Sequence, residues 1–136
     1  MSAIPKPPGA MSPALLPDRE APYVLRGVYE RVVDGCRIEL VLQWDGGYLV
    51  FRAETDTDSL EADYHEGDLT SSRKYRPLGS VSPWAEYIGK ECGWTWIAFN
   101  QQGYCDSALI SFDGIVPCVL LNVMASSIDV FPVSRG

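Results

Sequence analysis

The chain has 136 residues, of which 46% are hydrophobic, and a formal net charge of −7. This length suits one domain with its own core, and the hydrophobic share excludes disorder throughout. The longest apolar run, from Val116 to Leu121, is too short to span a bilayer, and the N-terminus lacks the continuous apolar core of a secretion signal. We therefore expect a cytoplasmic protein without a membrane partner.

The cysteines and the single histidine do not form a zinc or disulfide pattern. No two cysteines are spaced as CxxC, and one histidine cannot complete a Cys/His zinc set. We interpret the cysteines as buried or half-buried thiols in a reducing compartment. The sequence predicts no metal and no other cofactor. The four cysteines are Cys36, Cys92, Cys105 and Cys118, and the histidine is His65.

Residues 1–22 contain six of the ten prolines. Proline fixes φ and lacks an amide donor, so this stretch cannot be a regular helix or a central strand. We predict a Pro-rich N-terminal arm, which is either a loose tail or a segment packed against the domain or a partner. A single antiparallel β domain is predicted over residues 23–136.

Seven strands are predicted, three before and four after a long middle segment. Cys36 to Trp44 shows the clearest pattern, because its apolar and polar residues alternate as in a half-buried strand. Asp34-Gly35 is a strong hairpin signal, because type I′ turns require positive φ. The predicted strands are Tyr23–Val33, Cys36–Trp44, Tyr48–Glu54, Trp94–Phe99, Tyr104–Phe112, Val116–Met124 and Ile128–Val133.

The middle segment, residues 55–79, lacks a strand pattern, and we expect only one helical turn over Leu60 to Tyr64. Ser82 to Gly89 predicts the one short helix, with Trp84 and Ile88 both facing the sheet. The fold class is therefore mainly β (α+β). Antiparallel strands would form a strongly bent sheet, a sandwich or a partly open barrel.

The negative charge is concentrated in residues 54–68, named here the acidic segment. It contains seven acids and no Lys or Arg, so 11 acids and 11 bases remain elsewhere and the rest of the chain is neutral. The seven acids are Glu54, Asp56, Asp58, Glu61, Asp63, Glu66 and Asp68.

Three interpretations of the acidic segment remain open: a solvated loop, an irregular calcium site, and a surface for a basic protein. Asp56 and Asp58 are spaced like the first ligands of an EF-hand, and Asp63 and Glu66 could add oxygens. However, Leu60 and Glu61 occupy positions where that motif requires an acid or amide and then glycine, which excludes an EF-hand.

We favour the basic protein partner, because concentrated charge raises the rate of association with an oppositely charged surface. An acidic chain is unsuited to nucleic acid, since phosphates are repelled. The predicted partner-binding residues are Asp56, Asp58, Glu61, Asp63, Glu66 and Asp68, with Tyr64 as an aromatic contact.

No catalytic motif of the common enzyme classes occurs, and we predict that the chain is not an enzyme. His65 could act as a base, although a lone histidine among carboxylates is usually incidental. The alternative function is a small enzyme or ligand-binding domain with a polar pocket formed by Asn100, Gln102, Tyr104 and Asp106. Trp94 and Trp96 share a strand face and serve either in core packing or as an exposed binding platform.

The stretch from Tyr87 to Phe112 contains Trp-x-Trp and Asn-x-x-Gly-Tyr-x-Asp elements. It resembles a small bacterial family of uncharacterised single-domain proteins. Small acidic proteins of this kind are often similar to immunity proteins, which neutralise toxins delivered between bacteria. The resemblance implies an immunity-type inhibitor as the function, and it assigns no individual residue.

Overall fold

The computed structural model describes residues 11–12, 15–17, 19–54, 56–69, 74–99 and 105–133. Within these ranges, ten strands form two five-stranded antiparallel sheets with a shared core. The mainly β prediction is confirmed, and the sandwich is the architecture adopted. In the described part of the chain, no helix is long and apolar enough to cross a membrane.

Each sheet is built from one continuous part of the chain, except that the short N-terminal strand Met11–Ser12 joins the second sheet. The first sheet has the order β5-β4-β3-β2-β6, and the second has the order β1-β7-β8-β9-β10. The strands of the first sheet are β2 (Leu25–Val33), β3 (Cys36–Trp44), β4 (Gly47–Glu54), β5 (Ser59–Glu66) and β6 (Arg76–Pro77). Those of the second are β1 (Met11–Ser12), β7 (Cys92–Phe99), β8 (Cys105–Phe112), β9 (Pro117–Met124) and β10 (Ser127–Pro132).

The core lies between the inner faces of the two sheets. Alternate residues of every long strand contribute to it, as the period-two pattern predicts. Its largest members are Trp44, Phe51 and Trp84, each nearly or fully buried. The ring of Trp44 lies near that of Phe112 of the opposite sheet, tilted by 37° with ring centroids 6.3 Å apart.

The middle of the chain differs from the sequence prediction. Ser59–Glu66 is strand β5, and no helical turn forms over Leu60 to Tyr64. This strand pairs along its whole length with β4 and lies at the edge of the first sheet. Leu60, Ala62 and Tyr64 alternate onto the core face, and their burial outweighs the low strand propensity of the acidic residues between them.

The predicted helix is a single 3-10 turn, Trp84–Glu86. The inward-facing residues are Trp84 and Tyr87, spaced by three, whereas Ile88 is exposed. Spacing by three is the period of a 3-10 helix, and the amide of Tyr87 accordingly donates to the carbonyl of Trp84 at 2.9 Å. Gly89, at φ +86°, ends the turn.

The described part of the N-terminal arm packs against the domain. Leu15 and Leu16 contact the core, and the backbone amide of Leu15 donates to Oγ1 of Thr95 at 2.9 Å. The guanidinium of Arg19 lies 3.6 Å from the ring centroid of Tyr23 and donates to the carbonyl of Asp45 at 2.7 Å. The packed alternative therefore applies to this stretch, whereas residues 1–10 lie outside the described residues.

A buried carboxylate joins three strands of the first sheet to the second sheet. Glu30 is only 2% exposed and lies on the core face of β2. Nε of Arg37 donates to its Oε1 at 2.8 Å, and Nε of Arg76 donates to its Oε2 at 2.7 Å. Arg37 also donates from Nη1 to the carbonyl of Ile128 on β10 at 2.8 Å.

A β-bulge explains how Arg37 reaches this carboxylate. Arg31 pairs with Glu39, whereas Val32 pairs with Arg37, so β3 contains one extra residue at this point. A bulge redirects the side chains that follow it, and here it turns Arg37 toward the gap between the sheets. Burial alone raises the pKa of Glu30, but the hydrogen bonds from Arg37 and Arg76 outweigh it, so the pKa of this carboxyl lies below the ordinary value of 4.5.

Substitution of Glu30 tests this contact. We expect Glu30→Gln to lower the free energy of unfolding at pH 7 by about 2–3 kcal/mol, because removing one partner of a buried ion pair leaves the other uncompensated. Urea unfolding measures the loss. The exposed Glu20 provides the control, since Glu20→Gln should change stability by less than about 0.5 kcal/mol.

The same pair of proteins gives a pH test. A carboxyl with a lowered folded-state pKa stabilises the fold above its unfolded pKa and loses that contribution as pH falls through its folded pKa. The difference between wild type and Glu30→Gln should therefore be full at neutral pH and narrow progressively below about pH 4.5. A difference that is absent at pH 7, or that grows in acid, would contradict the assignment.

Truncation tests the packing of the arm. Deleting residues 1–18 removes Leu15 and Leu16, and we expect a loss of about 2 kcal/mol, or about 8 °C in Tm, from the apolar surface that becomes exposed. Deleting residues 1–10 leaves these contacts in place and is the control. Equal losses from the two deletions, measured by thermal unfolding, would show that the two leucines do not carry the effect.

Candidate functional site

The acidic segment forms the end of β4, a turn, the edge strand β5 and the residues that follow it. At about 3.3 Å per residue, β5 is about 25 Å long. Glu61, Asp63 and His65 alternate onto the outer face of the sheet, and all three are exposed. The carboxylates are thus spread along one exposed edge of the sandwich.

The seven carboxylates are not equivalent. Within the described residues, five of them make no salt bridge and no side-chain hydrogen bond, whereas Asp58 and Asp63 are engaged. We name the five the free carboxylates. They are Glu54, Asp56, Glu61, Glu66 and Asp68.

Asp63 lies beside an alternating row of charges on the outer face of the first sheet. The ladder places Arg31, Glu39, Arg52 and Glu61 side by side on four successive strands. Nη1 of Arg52 lies 2.9 Å from Oδ2 of Asp63, and Nε of Arg52 lies 3.7 Å from Oε1 of Glu39. The charge of Asp63 is therefore partly neutralised by its neighbour on β4.

The buried member of this row is Glu39, which lies between Arg31 and Arg52 and is 6% exposed. Its carboxylate accepts hydrogen bonds from Arg31 at 3.0 Å and from the hydroxyl of Tyr75 at 2.8 Å. Burial and the adjacent Glu39 carboxylate together raise the pKa of Tyr75 to about 12. At the other end of the β5–β6 connection, the backbone amide of Leu69 donates to the side chain of Gln43. The contacts of Leu69 and Tyr75 thus hold both ends of this connection against the outer face.

Asp58 has a structural role. Its two carboxylate oxygens accept from the backbone amides of Ala125 and Ser126, at 3.3 and 2.8 Å. Both residues have positive φ and form the tight turn between β9 and β10. Asp58 therefore joins the acidic segment to the second sheet, and each of its oxygens already accepts one backbone hydrogen bond.

Tyr64 does not present an aromatic surface to a partner. It lies on the core face of β5, half-buried, with its ring centroid 5.9 Å from that of Tyr23. Its hydroxyl occupies the space where a side chain at Gly47 would begin. On the outer face of this edge, the half-buried Tyr48 instead stacks against the exposed His65, with centroids 5.0 Å apart.

The calcium alternative requires four oxygen-bearing residues to converge, and the structure separates them. Asp56 and Asp58 lie in the turn before β5, whereas Glu66 lies at the opposite end of that strand. Asp63 points outward and pairs with Arg52. Among the described residues, no three carboxylate, histidine or cysteine side chains are grouped as a metal site requires.

The alternative polar pocket falls largely outside the described residues, which include Asp106 but not Asn100, Gln102 or Tyr104. Asp106 is half-buried, and its Oδ1 accepts from the hydroxyl of Ser107 at 3.4 Å. An open cleft of about 250 Å³ lies elsewhere, at the β2–β6 edge. It is lined by Glu30, Val32, Lys74, Tyr75 and Arg76, with more cations than anions.

The cysteines are half-buried thiols in the structure. Burial raises the pKa of Cys92 to about 12 and that of Cys105 to about 11. The thiolate form, which is the nucleophile, is therefore negligible at neutral pH for both residues. Neither Cys92 nor Cys105 is suited to nucleophilic catalysis.

Substitution of Asp58 separates its structural role from its charge. Asp58→Asn keeps a residue that tolerates positive φ but replaces one acceptor oxygen by an amide donor. We expect a loss of about 1 kcal/mol in urea unfolding, from the hydrogen bond no longer made to the β9–β10 turn. Asp56→Asn in the same turn is the control and should change stability by less than about 0.5 kcal/mol. Equal effects at the two positions would contradict the turn-capping role.

Comparison with known proteins places the chain in a family. No curated protein and no solved structure matches it. A family model matches residues 23–136, which is well over half of the chain. The expected relationship to an uncharacterised family is thus confirmed, whereas the likeness to immunity proteins receives no support from these matches. The chain belongs to DUF6334, a family of unknown function.

Proposed function

We propose that this protein is a protein-binding module that recognises a basic partner through its acidic edge, the surface formed by β5 and the free carboxylates on and beside it. The observation that carries the proposal is the set of five free carboxylates on and beside one exposed edge strand. Like charges held together cost repulsion energy in the free protein. A cationic partner relieves that repulsion and is drawn to the surface at an increased rate.

The backbone of β5 supports the same proposal. Because β5 is an edge strand, one side of its backbone has no strand partner among the described residues. A partner segment could add a strand there, with main-chain hydrogen bonds giving affinity and the carboxylates giving selectivity for Lys and Arg. The contact residues on this surface are Asp56, Glu61, Glu66 and Asp68, with the stacked Tyr48 and His65 as the aromatic contribution.

A purely protective role is the competing explanation, since charges on an edge strand also prevent edge-to-edge aggregation. Protection requires only that the edge be charged, and it predicts no partner. The binding proposal therefore predicts a partner whose association depends on the position of the carboxylates, whereas protection predicts no partner.

The finer form of the proposal is an immunity-type inhibitor in the cytoplasm that occupies the basic cleft of a toxin, such as a cleft built for nucleic acid. Its support is the size of the chain and the location of its charge. Catalysis is not part of the proposal. The alternative function, a ligand-binding domain or enzyme, would require a polar pocket rather than an exposed edge.

Charge-matched variants test the proposal. The edge variant replaces Asp56, Glu61, Glu66 and Asp68 by Asn or Gln, and the control replaces Glu20, Asp34, Glu86 and Glu91 in the same way. Both variants lose four negative charges, and both should remain within about 1 kcal/mol of wild-type stability because the substituted side chains are exposed.

Wild type and both variants serve as matched baits in a pull-down from the source cell, followed by association kinetics with the recovered protein. We expect the edge variant to associate at least about tenfold more slowly and the control to change by less than about threefold. The wild-type rate should also fall as salt rises, because the screening length is only about 8 Å at 0.15 M. Equal rates for the two variants, or a salt-independent rate, would overturn the proposal.

A further inference from the structure

The edges of the two sheets are protected in different ways. An open edge strand invites pairing with another chain, and charged residues, proline or short length oppose it. Strand β5 carries Glu61 and Asp63, and β10 contains Asp129 and Pro132. Strand β6 is two residues long and ends with Pro77. The remaining edge, beside β7, is occupied by the two-residue strand β1.

Strand β7 has neither charge nor proline in its own sequence. Cys92–Phe99 reads CGWTWIAF and is rich in aromatic and β-branched residues, which favour strand pairing. A short segment of high strand propensity without charge or proline is typical of intermolecular β-pairing. Without β1, β7 would be the edge strand of the second sheet. Protection of this edge therefore depends on the segment that lies against it.

The part of β7 that could accept another strand is short. The register with β8 shifts between Cys92 and Thr95 and again between Ala98 and Phe99. A register shift bends a strand and disrupts its ladder. Between the two shifts, residues 95–98 pair regularly with β8. These four residues are therefore the stretch on which a further strand could pair.

The N-terminal arm covers this same stretch. Strand β1 pairs antiparallel with Ile97 and Ala98. The backbone amide of Leu15 donates to Oγ1 of Thr95 at 2.9 Å. Thr95 is only 3% exposed, so a buried hydroxyl of β7 has a hydrogen-bond partner in the arm. We name the covering residues the strap: Met11, Ser12, Leu15 and Leu16.

The strap is followed by a well-bonded anchor. The guanidinium of Arg19 donates to three backbone carbonyls at 2.7–3.0 Å, and the hydroxyl of Tyr23 donates to the carbonyl of Pro17 at 2.5 Å. Leu15 and Leu16 are only half-buried where they contact the core. The anchor thus fixes where the arm joins the domain, and fewer contacts hold the strap itself on β7.

We propose that the strap is a conformational guard that closes the β7 edge, and that its release opens this edge to strand pairing. In a solution of this chain alone, the strand available for pairing is β7 of a second copy. Two uncharged β7 edges can pair antiparallel about a twofold axis and join the second sheets of two copies. The guard is separate from the acidic edge, which belongs to the other sheet.

Removal of the strap tests the proposal by sedimentation velocity. Deleting residues 1–18 removes the strap and keeps Arg19, whereas deleting residues 1–10 keeps both and is the control. We expect wild type, at 15.0 kDa, and the control to be monomeric. The 1–18 deletion should dimerise, with a Kd at least about 100-fold below that of wild type. Circular dichroism establishes that each protein is folded.

A lysine on β7 distinguishes edge pairing from the non-specific association of a destabilised protein. Ala98 is half-buried and lies within the regular stretch. Ala98→Lys in the 1–18 deletion should restore the monomer, because a charge on an edge strand opposes pairing. Val81→Lys in the same deletion adds the charge at an exposed position outside the strands and should leave the dimer intact.

A full-length variant decides the question if the deletion does not fold. Leu15→Ser combined with Leu16→Ser removes the apolar contacts of the strap and should lower the dimer Kd at least about tenfold relative to wild type. The proposal is wrong if the folded deletion, or in its place the double-serine variant, associates no more than wild type. A dimer that survives Ala98→Lys, or one lost equally with Val81→Lys, would also overturn it.

Discussion

The ion pairs of Glu30 are the constraint on which the arrangement of the two sheets depends. A carboxylate that is 2% exposed is stable only when cations compensate for its lost hydration. Arg76 supplies one cation from β6, and Arg37 supplies the other from a bulge in β3 while also bonding to Ile128 of the second sheet. The contact therefore fixes the position of the short strand β6 and the spacing of the sheets at one edge.

This constraint also explains the separation of charge across the first sheet. Glu30 draws Arg37 and Arg76 to the β2–β6 edge, where Lys74 lies as well. On the outer face, Arg31 pairs with the buried Glu39 at 3.0 Å, and Arg52 lies 3.7 Å from the same carboxylate. Arg52 is shared between Glu39 and Asp63, and among the described residues no other cation forms a salt bridge with the carboxylates of the β5 edge. The ion pairs of the buried glutamates and the excess of negative charge at the β5 edge thus both follow from where the arginines of this sheet are placed.

The strands with strong period-two patterns could be predicted from sequence, including the β3 bounds Cys36–Trp44. Strand β5 was missed, although Leu60, Ala62 and Tyr64 alternate with polar residues in the sequence. The signal was weak because Glu, Asp and Ala have low strand propensity. The concentration of charge in residues 54–68 was visible in the sequence. The commitment of Asp58 to a turn 67 residues away was not, because it depends on the packing of the two sheets.

The tryptophans of β7 show the same limit. Sequence alternation placed Trp94 and Trp96 on one side of a strand but could not choose between core and exterior, because both sides of β7 carry apolar residues. The choice depends on register with β8, β9 and β10, which places Leu109, Leu120 and Phe131 in the same row. Long-range pairing of this kind is not encoded in any short segment.

Amide hydrogen exchange on the protein with and without its captured basic partner tests the central claim most directly, because it reports which backbone segment the partner covers. The acidic-edge account predicts that added protection is concentrated in residues 56–68, with little change in β7 to β10. Protection confined to β7 to β10, with exchange in β5 unchanged, would contradict it.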